Sequence, residues 1–387
     1  MLRACVHCGF CNATCPTFQI MGDELEGPRG RIYLMKNVLE GEDVSRNTQL
    51  HLDRCLTCRN CETTCPSGVE YSKLLDIGRE VVDKAVPRPF SERVLRKTLA
   101  KLLPQRTVFA SLLRVGQWAK PVLSKRLAEH IPETETPQGH LPARRHARQV
   151  ALLDGCVQPV LTPNTNRAAT RVFDHFGVSA LNSTDVACCG ANEYHLGEKK
   201  SGLDRARKNI DYWNNQLDAG LEALVVTASG CGAFIKEYAD LLADDPAYAQ
   251  KAQRVSEITL DLVEWLTQQN WSQKTIKSLD KKVAFQCPCT LQHAQKLGGQ
   301  VEALLQKLGA QMQPVADSHL CCGAAGSYTI LQPEMATQLR DKKMQTLEAS
   351  RPDTIVSANV GCQVHLNGSH GKKVRHWVEL VDEALVG

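Results

Sequence analysis

Seventeen cysteines dominate the 387-residue chain, and their spacing carries the chemistry. Cys5, Cys8, Cys11 and Cys15 follow the pattern C-x2-C-x2-C-x3-C, with Pro16 directly after. Cys55, Cys58, Cys61, Cys65 and Pro66 repeat the run without change. Three thiolates this close wrap one face of a four-iron cubane, each meeting a different iron. The fourth cysteine leaves the loop and reaches the other cluster. The expected ligand sets are Cys5, Cys8, Cys11 and Cys65 for one 4Fe–4S cluster, and Cys55, Cys58, Cys61 and Cys15 for the other. Each proline biases the preceding cysteine away from helical backbone and turns the chain off the cluster loop. Zinc sites favour paired C-x2-C spacing, which two complete runs do not resemble.

The other nine thiols make a second pattern. Thirty-one residues lie between Cys156 and the pair Cys188-Cys189, and 31 between Cys289 and the pair Cys321-Cys322. Gly190 and Gly323 follow the pairs, and Cys231 and Cys362 close the two sets. Spacing this similar implies a duplicated unit. The second copy has one more thiol, Cys287. These residues are candidates for a further iron–sulfur centre, a zinc site or thiol redox chemistry. Any one of them taken alone also reads as an inert buried thiol. His195, His293, His319 and His365 lie nearby as candidate ligands or proton carriers, each more readily a structural histidine.

The elements that must position these residues are legible in part. Pro28 and the apolar stripe of Ile32, Leu34, Met35, Val38 and Leu39 predict a helix between the two runs. Val69 to Val82 predicts another. Leu95, Leu99, Leu102 and Leu103 predict an amphipathic helix broken at Pro104, and Val108, Leu112 and Val115 a second, ending before Pro121. Both are basic on their polar sides, which fits a membrane-surface or partner-docking element as well as a solvated face. Residues 131–148 are rich in proline and charge and read as a linker. Gln149–Leu153, Ala223–Thr227, Lys282–Phe285 and Thr354–Val356 predict buried strands, each ending just before a cysteine segment. Asn209–Ala219 and Val301–Gly309 predict helices between them. Alternating strands and helices imply parallel layers with sites at the carboxyl ends of strands. The expected division is a two-cluster domain over 1–85, a basic helical segment and linker over 86–148, and two α/β copies over 149–280 and 281–387. The whole is of α+β class.

Composition excludes several classes. Hydrophobic residues at 43% and charged residues at 23% are globular values, so the chain is not disordered. No apolar run approaches the roughly 18 residues of a membrane-spanning helix. The start MLRACVHCGF lacks the apolar core of an export signal, which favours a cytoplasmic setting where clustered cysteines mean metal or redox chemistry. Residues 81–150 hold fourteen Lys and Arg against five Asp and Glu, within a chain of net charge +4. Each cluster with its four thiolates adds about −2, bringing the loaded chain near neutrality. No nucleic-acid motif is present. Neither phosphate-cradling glycine motif occurs, so the chain is expected to carry no nucleotide or flavin.

The two C-x2-C-x2-C-x3-C-P runs followed by two CCG copies resemble the ferredoxin-plus-CCG family. Its members include heterodisulfide reductase, anaerobic glycerol-3-phosphate dehydrogenase and lactate-utilisation iron–sulfur proteins. The wording CVHCGFCNATCPTF, GDELEGPRGRIYLMK, HLDRCLTCRNCETTCPSGVEY, TASGCGAFIKEY, CPCTLQHAQKL, DSHLCCGAAGSY and VRHWVEL is closer still to the iron–sulfur subunits of bacterial glycolate oxidase. The resemblance implies a bacterial ferredoxin-like domain followed by a duplicated CCG domain. It implies an electron-transfer role, with glycolate oxidised to glyoxylate on separate flavoprotein subunits and electrons passing toward a membrane quinone. The complex would sit peripherally on the inner face of the cytoplasmic membrane. The chain would contribute no catalytic residue and would not be active alone. Alternatives are the same carrier serving lactate or glycerol-3-phosphate, or a thiol–disulfide reductase built on the CCG copies. Heterodisulfide reductase relatives close each copy with C-x-x-C. Ala228 and Asn359 occupy those first positions here, leaving Cys231 and Cys362. Only four residues precede Cys5, whereas the resemblance implies more. Cover for the first cluster is expected from a partner or from such residues.

Overall fold

The computed structural model describes residues 2–123, 128, 131–143, 145–181, 186 and 188–385. Its first third is helical. Short α1 (Phe10–Ala13) leads into α2 (Pro16–Met21), and longer α3 (Pro28–Leu39) into α4 (Arg46–Asp53). Proline opens α2 and α3 at a position where the missing N–H would have had no helical partner. The Ser45 hydroxyl caps α4 by accepting from the Thr48 amide. Short α5 (Asn60–Thr64) repeats the place of α1, and α6 (Tyr71–Ala85) follows. Ile32, Met35, Leu52, Leu74, Leu75 and Val82 form one apolar core, and the cysteine loops wrap its edge. The predicted stripe on α3 is buried at Ile32 and Met35, while Leu39 faces solvent.

Two helices then cross to the next domain, α7 (Phe90–Leu102) and α8 (Arg106–Ala119), followed by a tight turn at Lys120–Val122. Each buries a single residue, Ala100 on α7 and Leu113 on α8. Part of the basic charge is structural. Arg88 and Arg96 both reach Asp53, and Glu92 bonds both of them. The described linker runs along the first copy, where Glu135 and Gln138 take backbone and side-chain partners from Leu161 and Asn164.

The last two thirds hold two parallel four-stranded sheets of one design. β1 (Arg148–Leu152), β2 (Val178–Leu181), β3 (Leu224–Val226) and β4 (Thr259–Asp261) lie in the order β2-β1-β3-β4. β5 (Lys282–Gln286), β6 (Gln311–Met312), β7 (Thr354–Ser357) and β8 (Val374–His376) repeat it as β6-β5-β7-β8. The four predicted strands are the two central ones of each sheet. The outer strands span two to four residues and carry polar positions, too short for an apolar run to announce them.

Crossover helices include α9 (Pro163–His175), α10 (Lys199–Asp218), α11 (Ser229–Lys236) and α12 (Leu262–Thr267) in the first copy. The second has α13 (Gln300–Lys307), α14 (Pro333–Glu348), α15 (Val360–Asn367) and α16 (Trp377–Ala384). One apolar core spans both copies, joining Phe173 and Trp265 to Val283, Val356 and Trp377. Arg171 on α9 and Asp382 on α16 close its edge at 2.5 Å.

In this strand order the chain leaves β1 for one side and returns to β3 on the other, so the switch point lies between β1 and β3. Cys156 follows β1 and Cys231 follows β3. Cys289 and Cys362 hold the same places after β5 and β7.

Candidate iron–sulfur and thiol sites

The cysteine loops enclose two cavities. One is lined by Cys5, Cys8, Cys11 and Cys65, the other by Cys55, Cys58, Cys61 and Cys15. The fourth thiol of each set comes from the opposite run. Cys15 and Cys65 are extended, with ψ of 117° and 116°, as the following prolines dictate. The loops turn alike: His7 and Thr57 have φ of 54° and 52°, and Gly9 and Arg59 have 85° and 61°. Three of these four residues are not glycine, so both loops hold strained left-handed backbone at matching places. The strain turns backbone N–H groups inward, and the Thr57 amide lies 3.4 Å from the Cys55 sulfur. Among the described residues no three Cys, His, Asp or Glu side chains close to the spacing of a single metal ion. Thiols ranged round a cavity suit a cubane, where each meets its own iron.

The surroundings favour an anionic group. Arg31 lines the second cavity and is wholly buried. Burial opposes its charge, and the ion pair with the buried Glu26 carboxylate holds the guanidinium charged. It donates to Glu26 at 2.9 Å, Thr17 at 3.2 Å and the His51 carbonyl at 2.7 Å. Glu26, also wholly buried, takes further bonds from His51 at 2.8 Å and Arg54 at 2.5 Å. Arg29 plays the outer part at the first cavity, held by a two-bond pair with Glu24. Tyr71 lines both cavities, and its buried hydroxyl has no hydrogen-bond partner among the described residues. Burial, reinforced by Cys5, lifts Cys11 to about 11 and raises Cys58 and Cys61 well above the ordinary thiol range. Ligation must therefore displace protons.

In each CCG copy four thiols form a row. Cys156, Cys188, Cys189 and Cys231 are linked in that order by side-chain hydrogen bonds. Cys289, Cys321, Cys322 and Cys362 repeat the order, with 3.9 Å between the sulfurs of Cys289 and Cys321. The CCG glycines have φ of 93°, and a Cβ on either would sit 2.7 Å from a carbonyl of the next helix, at Gly202 or Ala336. Only glycine fits there. Cys287 stands outside the row, in the apolar core.

The rows differ in their charges. Bonds from Cys156 and Cys189, with Arg205 close by, hold Cys188 well below the usual thiol range. Cys289 is pushed up by Cys321 and by burial. Cys321 stays high despite the pull of Cys289, through Cys322 and burial. The nearby cation here is Lys343, whose ammonium is weakened by burial and donates to the Asp317 carbonyl at 2.7 Å.

Three of the four candidate histidines are engaged through their rings, and His319 through its backbone carbonyl. His195 faces Asp76 at 3.8 Å, His293 bridges Thr63 and the His319 carbonyl, and His365 bonds the Ala336 carbonyl. Burial lowers His365 to about 4, so it stays neutral.

One contact was invisible in the sequence. Cys58 of the second cavity shares an apolar cluster with Cys289 and Cys321 of the second row, roofed by Leu56 and Tyr328. Asn60 ties the seam by donating to the Thr14 and His319 carbonyls, both at 3.0 Å. The Tyr328 hydroxyl donates to the Arg54 carbonyl. The first copy meets the same domain through ion pairs instead: Arg59 with Glu237, Lys73 with Asp240, and Lys199 with Glu80. Nothing in residue order brings Cys58 near Cys289, and the charged Arg31 had no signal beyond breaking an apolar helix face.

Comparison with known proteins agrees with this arrangement. Residues 1–69 match the 4Fe-4S dicluster domain, and residues 150–236 and 283–367 match the Cysteine-rich domain. The glycolate oxidase iron-sulfur subunit of Escherichia coli is 54% identical over all of this chain and 94% of its own length. The Bacillus subtilis protein named probable glycolate oxidase iron-sulfur subunit is 31% identical over 99% of this chain and 94% of its own. Lactate utilization protein A of Bacillus licheniformis is 25% identical over 58% of this chain. A hypothetical protein from Helicobacter pylori shares the fold, with a TM-score of 0.58 at 10% identity over 92% of this chain and 67% of that one. The chain is an iron–sulfur electron-transfer protein, and it belongs to the family of glycolate oxidase iron-sulfur subunits.

Proposed function

We propose that this chain takes electrons from flavoprotein subunits that oxidise glycolate to glyoxylate, and passes them toward a membrane quinone. The observation that carries the reading is the pair of cavities, each lined by a complete cysteine quartet with its fourth thiol from the opposite run. When bound, 4Fe–4S clusters supply storage for one electron at a time, which divides the two electrons that glycolate loses. The chain's part is to hold and shield them. The ligands we assign are Cys5, Cys8, Cys11 and Cys65, and Cys55, Cys58, Cys61 and Cys15. Cys61, Pro28 and Tyr71 line both cavities, which supports a single layer of side chains between the two sites. Arg31 faces the inner site with a fixed charge that favours added electrons there. From that site Cys58 leads to Cys289 and Cys321, so we read the second row as the next station. Residues 1–85 would then be the cluster domain, 86–148 the basic segment, and 149–280 and 281–387 the CCG copies.

No helix among the described residues is long and apolar enough to cross a membrane. We therefore read the chain as a peripheral member of its complex, on the cytoplasmic side. Glycolate is preferred over lactate because identity is 54% to the protein named for the one and 25% to the protein named for the other.

The test is iron and acid-labile sulfide on the anaerobically purified chain. About eight of each account for the two cavities, and more assigns a further centre to the CCG rows. Cys65→Ser should remove the cluster whose other ligands are Cys5, Cys8 and Cys11, leaving the second spectrum intact. Glycolate-to-dye activity from this chain alone would refute the reading.

A further inference from the structure

The basic segment presents a face that no described part of the chain covers. Leu112, Val115, Trp118 and Val122 recur at helical spacing along α8 and the turn after it, and all four are exposed. Trp118 is 86% exposed and Val122 87%, values that a packed core helix does not show. On α7, Phe90 and Val94 stand in water as well, with the Arg93 guanidinium 5.8 Å above the Phe90 ring.

The cations of the segment divide into two groups. Arg88, Arg96 and Arg106 are bound to carboxylates. Arg93, Lys97, Lys101 and Arg114 are exposed, and none has a carboxylate partner among the described residues. Glu92, the acid within α7, is turned inward to Arg88 and Arg96. The free side of these helices is therefore apolar and cationic, without acids.

We propose that α8, with Trp118 on its exposed edge and Arg114 one turn before it, docks on an anionic lipid surface, with the unpaired cations of α7 adding to the attraction. The proposal rests on the membrane reading above and names the surface that would serve it. The chemistry distinguishes the occupant. A protein partner is met by apolar groups gathered into a packed patch with a polar rim. Here the apolar groups follow one helix edge, a tryptophan stands out from it, and the exposed charges of the two helices are cations without carboxylate partners among the described residues, as in helices that lie in a headgroup layer.

Trp118 is its own reporter. Trp213, Trp265, Trp271 and Trp377, the other four of the five tryptophans, are buried. The cluster-loaded full chain, kept anaerobic, is mixed with vesicles of phosphatidylcholine alone or with phosphatidylglycerol. Part of the lipid is brominated in its acyl chains. The expected result is sedimentation with the anionic vesicles only, with bromine quenching of a blue-shifted tryptophan signal. Trp118→Ser should abolish the quenching while the cluster spectrum is unchanged. Lys97→Glu with Lys101→Glu should weaken association roughly tenfold or more.

Association that Trp118→Ser and the charge reversals leave unchanged would overturn the assignment. So would a concentration-dependent dimer, or binding to the flavoprotein subunits, that is lost in Trp118→Ser without any lipid binding. The assembled complex separates the two readings. If it sediments with vesicles equally with Trp118 or Ser, the α8 proposal fails and the membrane reading stands. If it binds no vesicle, the membrane reading fails.

Discussion

The two CCG copies have one strand order, one four-thiol row and one left-handed glycine in each pair, yet they face the cluster domain in opposite ways. The second row touches it through sulfur and apolar side chains, with Cys58 among Cys289 and Cys321. The first copy meets it through pairs such as Arg59–Glu237, across a polar seam. The rows also differ in readiness: Cys156 and Cys189, with Arg205 behind them, hold Cys188 toward thiolate, whereas Cys289 is pushed up by Cys321 and burial, and Cys321 by Cys322 and burial against the pull of Cys289. The two copies thus share a scaffold while their contacts with the cluster domain differ in chemistry. The site joined to a cluster by a dry contact suits electron relay, and the site behind ion pairs does not.

Breaking the rows tests this contrast most severely. Cys321→Ser should slow electron passage through the loaded complex by on the order of 100-fold, with flavin reduction by glycolate intact, while Cys188→Ser leaves the passage unchanged. Stopped-flow bleaching of the clusters reads both, and equal losses would end the distinction. A second contrast lies at matching helix starts, where Asp261 caps α12 and His376 caps α16. Burial lifts Asp261 to about 7, Lys236 opposing and Glu264 reinforcing the shift, and it lowers His376 to about 4. The folded chain therefore binds the extra proton at Asp261 from about pH 4 to 7, and stability from this group falls as pH rises there, by roughly 4 kcal/mol at most. At His376 the unfolded chain binds the extra proton from about pH 4 to 6.5, and stability rises with pH. Asp261→Asn should remove the falling limb and His376→Asn the rising one, in urea midpoints taken across that range.

Smaller effects come from the seams. Asn60→Ala leaves the Thr14 carbonyl without its donor and the His319 carbonyl with His293 alone, and should cost about 1–3 kcal/mol, read as an earlier loss of cluster absorbance in urea. Arg59→Ala breaks a single half-buried pair with Glu237 and should cost about 1 kcal/mol. The reverse order would mean that the first copy is the more tightly joined.

Much of this architecture was legible in residue order because covalent spacing and ligand geometry coincide. The quartets with crossed fourth thiols could be written down from C-x2-C-x2-C-x3-C-P, and the duplication from two intervals of 31 residues. The central strands announced themselves as apolar runs. The edge strands did not, since Gln311–Met312 pairs only two residues. The approach of Cys58 to the second row was hidden as well, being a contact over more than two hundred residues that no local pattern encodes. Neither could the sequence divide the bases of α7: Arg96 and Lys97 look alike until Asp53 is found against one of them.

The buried knot of Glu26, Arg31, Arg54 and His51 has a bearing on biogenesis. One carboxylate there answers two guanidiniums in a largely buried place, and an inserted anionic cluster would offset the excess charge. Iron and sulfide delivery is therefore expected to be coupled to folding. A chain without its cofactor should then lose its first domain to proteases sooner than the loaded chain does.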